Sequence, residues 1–171
     1  VIVLLLIAGC GSGGGTTTVT TTETGPTDTT GATDTGATEA EPPPQDANGE
    51  RIDVGNGIFM FEMPSKRIGC AVSSDPSTIR CDTAFQTRFS RSGHRCQFGD
   101  YGQAFEMRRS GAAKAICAGD TVLSAPDART IPYGRTWLLG PYTCISRKSG
   151  LSCRNPDGHG IALSLQAQKV F

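Results

Sequence analysis

Six cysteines between Arg51 and Phe171 constrain this chain more than any other feature: Cys70, Cys81, Cys96, Cys117, Cys144 and Cys153. Such a load in a segment of this size reads as a disulfide framework, and disulfides persist outside the cytosol. Structural zinc calls for close pairs such as C-x2-C converging on one ion. The spacings here are ten, fourteen, twenty, twenty-six and eight intervening residues, with no CxxC, so no metal site is assigned.

Two cysteine pairs lie in matching surroundings. If Cys70 faces Cys81, then Val72 faces Ile79 and Ser73 faces Thr78, leaving a four-residue loop over Ser74-Asp75-Pro76-Ser77. If Cys144 faces Cys153, another four-residue loop remains, Arg147-Lys148-Ser149-Gly150. Asp-Pro and Ser-Gly are turn chemistry, and four-residue hairpin loops are common. The pleat then gathers Ile68, Cys70, Val72, Ile79 and Cys81 on one face, and Tyr142, Cys144, Leu151 and Cys153 on another. Of the fifteen possible connectivities, this agreement selects Cys70–Cys81 and Cys144–Cys153, and Cys96–Cys117 follows by elimination. Gln103–Met107 and Ala113–Cys117 form a third hairpin in this reading, with a short helix over Tyr101–Arg109 as its competitor. Each bridge is worth about 3 kcal/mol in the chain-entropy picture.

Further strands are expected at Gly57–Met63, Thr136–Leu139, Gly160–Leu165 and Gln168–Phe171, with Phe59, Phe61, Phe105, Trp137, Leu138 and Ile161 in the core. The expected fold is mainly β: a small antiparallel sandwich or partly open barrel stapled by three disulfides, occupying residues 51–171.

The first ten residues are of another kind. Val1–Ile7 is an aliphatic run, too short for the roughly 20 residues that span a bilayer. It fits the end of a secretory h-region. Ile7-Ala8-Gly9-Cys10 resembles the bacterial lipobox, which implies a lipidated Cys10 and a protein held on the outer face of the cell membrane. The chain opens at Val1 without an initiator Met or a basic n-region, so it is expected to be truncated upstream or given a late start. Residues 11–50 are rich in Thr, Gly, Ala, Asp and Glu, with Pro42-Pro43-Pro44 near their end and one Val as their only large aliphatic residue. That composition cannot offset its ordering entropy, so a disordered tether is expected.

The net charge of zero conceals an asymmetry. All 16 Lys and Arg fall in residues 51–171, against nine acids, an excess of seven. Such a domain attracts acidic partners. The bases are dispersed, without a dense run, and no nucleic-acid partner is expected.

No G-x-S-x-G, H-E-x-x-H, P-loop, dinucleotide or EF-hand pattern occurs. The histidines are His94, in a loop-like Ser-Gly-His-Arg, and His159, between two glycines after Asn155-Pro156-Asp157. Candidate binding residues are Arg80, Asp82, Asp120, Arg147, Lys148 and His159. No catalytic residue and no cofactor is assigned.

Phe61-x-x-Pro64-Ser65-x-x-Ile68-x-Cys70, Arg80-Cys81-Asp82, Gly111-x-Ala113, Cys117-Ala118-Gly119-Asp120-Thr121, Pro132-Tyr133-Gly134, Cys144, Gly150-Leu151-x-Cys153-x-Asn155 and Gly158-His159-Gly160 together resemble a family of uncharacterised actinobacterial secreted and lipoprotein domains, over about residues 58–171. Lys66-Arg67 departs from the Gly-Asn usual there. That family carries no assigned activity, so the resemblance implies location and fold alone. The leading expectation is an envelope-surface, non-enzymatic module that binds a protein or an acidic glycan. The alternatives are an inhibitor of an envelope-directed enzyme such as lysozyme, with the Arg147–Gly150 loop as its plug, and a hydrolase using Asp120 and His159 with Asp157.

Overall fold

The structure is a computed structural model that describes residues 49–75 and 77–171. Cys10, its lipidation and nearly all of the expected tether lie outside the described residues.

Every helix or strand element among the described residues is a strand: β1 Glu50–Ile52, β2 Ile58–Glu62, β3 Ile68–Ser74, β4 Ser77–Thr83, β5 Asp100–Arg108, β6 Lys114–Ala118, β7 Arg129–Thr130, β8 Arg135–Leu139, β9 Tyr142–Arg147, β10 Gly150–Arg154, β11 Gly160–Leu163 and β12 Gln168–Val170. They form two open six-stranded sheets, ordered β1-β8-β9-β10-β11-β12 and β6-β5-β4-β3-β2-β7. The inner faces meet in one core that includes Phe61, Met63, Ile79, Phe105, Trp137, Tyr142, Leu151 and Ile161. Polar contacts also cross between the sheets, such as Ser146 Oγ donating to Met63 Sδ at 3.3 Å.

The registers around the cysteines are those expected. Cys70 faces Cys81, Val72 faces Ile79, and Cys144 faces Cys153. All three disulfides are formed, with Cα separations of 4.1, 5.8 and 4.0 Å in chain order. The short values match directly opposed residues of an antiparallel pair. Both hairpins are tighter than expected. Pairing continues through Ser74↔Ser77 and Arg147↔Gly150, leaving two intervening residues rather than four. Two-residue connections suit the right-handed twist of the flanking strands. The third hairpin is β5–β6, so residues 101–108 are strand and not helix.

Three expectations need correction. The sheets are mixed, because β1 runs parallel to β8 and β2 parallel to β7. Parallel neighbours need long crossover connections, and here residues 53–134 lie between β1 and β8 and residues 63–128 between β2 and β7. Strands β1 and β7 themselves were not expected, since pieces of three and two residues carry no periodicity. Phe59 and Leu138 are only half-buried: Phe59 shares the inward face with Phe61 but packs at the edge of the core near the start of β2, whereas the pleat turns Leu138 away and gives the inward positions to Trp137 and Leu139.

Candidate functional site

Arg80 and Asp82 lie two apart on β4 and therefore share a face. Arg80 forks onto Asp82, with Nε and Nη2 each donating at 2.9 Å to one carboxylate oxygen. The same guanidinium reaches Asp120, donating from Nη1 to Oδ1 at 2.8 Å and from Nη2 to the backbone carbonyl at 2.7 Å. Asp82 Oδ2 also accepts the Val122 N–H at 3.0 Å. The sequence thus singled out three residues that do converge. What they build is a clasp that holds the segment after β6 across the outer face of β4. Gly69, opposite Asp82 in β3, makes room for it, because a Cβ there would lie 2.9 Å from the Val122 carbonyl oxygen.

Electrostatics bind the clasp together. Burial by itself lowers the Arg80 pKa, but hydrogen bonds to Asp82 and then Asp120 outweigh it and hold the guanidinium above its ordinary value. The hydrogen bond from Arg80, followed by its charge, holds the Asp120 carboxyl below the usual range.

His159 lies elsewhere. Its backbone N–H donates to Asn155 Oδ1 at 3.0 Å, while Asn155 Nδ2 donates to the carbonyls of Arg108 and Gly111 at 3.0 and 2.9 Å. Asp157 accepts the Gly111 N–H at 3.0 Å. The 155–159 turn therefore grips the β5–β6 turn. Among the described residues no hydrogen bond or ion pair joins the His159 imidazole to Asp120 or Asp157. Arg147 and Lys148 stand exposed at the tip of the β9–β10 hairpin.

Sequence reading passed over the segment 86–99. There, an open cleft of about 460 Å3 is lined by Gln86, Ser90, His94, Arg95, Tyr101 and Gln103, with Asp100 on its wall. Thr87, fully buried, anchors this segment: its hydroxyl donates to the Gly102 carbonyl and accepts the N–H groups of Phe89 and Ser90 at 3.1 and 3.0 Å. Gly102 lies at a β-bulge with φ of 82°, and a Cβ there would meet Ser90 N at 2.5 Å. Phe89 packs edge-on against Phe105, with ring centroids 5.4 Å apart. Arg88 lies over the Phe89 ring at 4.7 Å, and its N–H reaches Gln168 Oε1 of β12 at 2.8 Å. Arg91, His94 and Arg95 are exposed, and among the described residues none of them forms an ion pair. The spacing R-x-x-R-x-x-x-R (Arg88, Arg91, Arg95) was the available signal.

A family model described as "Family of unknown function (DUF6636)" matches residues 86–171, half of the chain. The chain belongs to this family. The DUF6636 match opens at Gln86, on the cleft wall, and covers β5 to β12, the Cys96–Cys117 and Cys144–Cys153 bridges and Asp120. It leaves out the β3–β4 hairpin with Arg80 and Asp82, so it begins later than the resemblance over 58–171 implied. No curated protein and no solved structure shows a significant match to the chain.

Proposed function

We propose that the chain is an envelope-surface lipoprotein of actinobacterial type, anchored through a lipid on Cys10 to the outer face of the cell membrane. Its β domain is a non-enzymatic module that binds an acidic glycan in the 86–103 cleft. One observation supports this above the rest: the cleft segment gathers Arg88, Arg91 and Arg95 within eight residues, and among the described residues none of the three forms an ion pair, whereas Lys66, Arg80, Lys114 and Arg135 are each paired with an acid. Arg95 on the cleft wall and Arg91 beside it thus offer two positive charges against the one carboxylate of Asp100, and an anionic sugar supplies a partner for the excess. Gln86, Ser90 and Gln103 add hydrogen-bonding groups for hydroxyls, and Tyr101 an aromatic side chain.

The test is titration of the purified protein with carboxylated and neutral oligosaccharides at low and high salt. Binding is expected for the acidic ligand, with affinity falling as salt screens the charges. The double substitution Arg91→Glu/Arg95→Glu should abolish it, while Arg147→Glu/Lys148→Glu should not. Equal binding of the neutral sugar, or retention by the Arg91/Arg95 variant, would sink this reading.

One observation favours the inhibitor reading as second choice. The Lys148-Ser149 tip is exposed and sits on a hairpin locked by Cys144–Cys153, the rigid shape a plug requires. Muramidase inhibition lost in Arg147→Glu/Lys148→Glu would promote it.

A further inference from the structure

The three disulfides have different surroundings. Cys70, Cys81, Cys144 and Cys153 are wholly buried in the core, whereas Cys117 is exposed and Cys96 half-buried. Cys117 lies on β6, the outer strand of its sheet, and Cys96 in the irregular stretch before β5. A reductant in water therefore reaches the Cys96–Cys117 bond before the other two.

His94 stands beside that bond. A ring nitrogen of His94 and the sulfurs of Cys96 and Cys117 all lie within 4.8 Å of one another. The imidazole packs on Tyr101, with ring centroids 4.1 Å apart, and Tyr101 is the register partner of Cys117. One strand pair thus fixes both the ring and a sulfur. The spacing of the cysteines hid this set, because the β5–β6 pairing brings the ligands together over twenty intervening residues.

We propose that Cys96, Cys117 and His94 form a zinc site when the bond between the two cysteines is reduced. A small dithiol supplies the reducing equivalents: its two sulfurs join as a disulfide, the Cys96–Cys117 bond breaks, and each cysteine gains one electron and one proton. Zinc then displaces both thiol protons to water and takes two thiolates and one imidazole. That donor set selects zinc over harder cations. The Cα atoms of Cys96 and Cys117 are 5.8 Å apart, against 4.1 and 4.0 Å in the buried bridges. This spacing lets the sulfurs turn apart around an ion at Zn–S distances of about 2.3 Å. Three protein ligands would leave one tetrahedral position for water, at a site whose His94 and Cys96 line the cleft.

The proposal goes beyond the binding function and uses no glycan in its test, so each can fail alone. The purified protein is treated with a limiting amount of a water-soluble phosphine, which reduces disulfides without holding zinc, and accessible thiols are mapped by alkylation. Label should enter Cys96 and Cys117 while the four buried cysteines stay oxidised. Cobalt(II), as a spectroscopic stand-in for zinc, should then give thiolate-to-metal charge-transfer absorption, and zinc should displace it and block alkylation. His94→Ala should weaken cobalt binding by at least about tenfold. Cys96→Ser/Cys117→Ser, which opens the same loop without thiols, should keep its β circular dichroism and show no such absorption. Label entering the buried pairs first, unfolding on this limited reduction, absence of the charge-transfer band, or equal cobalt affinity in His94→Ala would each overturn the site.

Discussion

Replacing Arg80 by Met keeps most of the side-chain stem and removes the charge that closes the clasp. Asp82 is only 4% exposed and receives two bonds from Arg80 and one from the Val122 N–H. Without Arg80 its carboxylate stays buried with a single backbone donor. Breaking a buried pair from one side costs about 3–5 kcal/mol. The Arg80 side chain is 20% exposed, so water compensates part of that loss, and we expect about 2–3 kcal/mol. This is a large share of a typical domain's net stability, about 5–15 kcal/mol. Urea denaturation of the wild type, Arg80→Met, Asp82→Asn and the double variant gives the coupling energy directly. A second cycle with Asp120→Asn should give a clearly smaller coupling, because the Asp120 side chain is 80% exposed and water screens it. Amide exchange at Val122 should accelerate in Arg80→Met. The reasoning is refuted if Arg80→Met unfolds within about 0.5 kcal/mol of the wild type, or if Asp120 couples to Arg80 as strongly as Asp82 does.

Three further outcomes are expected. The lowered Asp120 pKa means that its contribution to stability is complete above the ordinary carboxyl value of 3.8 and disappears as pH falls through the depressed folded value; acid unfolding curves of Asp120→Asn should therefore lose that part of the pH dependence. Lys66 has a φ of 57°, in the left-handed region that Gly adopts without strain; Lys66→Gly should exceed Lys66→Ala in stability by about 1 kcal/mol, since both lose the Glu62 ion pair and only Gly relieves the backbone. Thr87→Val keeps the shape but strips the acceptor from the Phe89 and Ser90 N–H groups, at a cost of about 1–3 kcal/mol in denaturation and with faster amide exchange at both residues.

The two cysteine hairpins were legible in the sequence because sulfur pairing, turn composition and the period-two apolar face all demand one register. Slipping either strand by one residue would put Val72, Ile79 and Leu151 on the wrong side of the sheet. The parallel edges were illegible for the opposite reason: Glu50–Ile52 and Arg129–Thr130 are too short for any period, and their partners lie far away in the chain. Arg80, Asp82 and Asp120 stood out as charged residues beside cysteines, but charge alone does not distinguish a ligand contact from a clasp. Only the fork of Arg80 onto Asp82, with the same guanidinium reaching Asp120 forty positions on, shows the internal use. The cleft escaped because its walls depend on a bulge at Gly102 and on one buried threonine, neither of which leaves a pattern in composition.

The bridges span only 11, 21 and 9 positions along the chain, and none of the three ties one sheet to the other. Tension entering from the N-terminal side therefore meets no covalent stop before Cys70. It loads β1 first, which grips β8 through three residue pairs, and then β2. Peeling there lengthens the reach of the chain, whereas the ribbons closed by sulfur stay short, so a pulling experiment should register less extension than the contour of the whole domain.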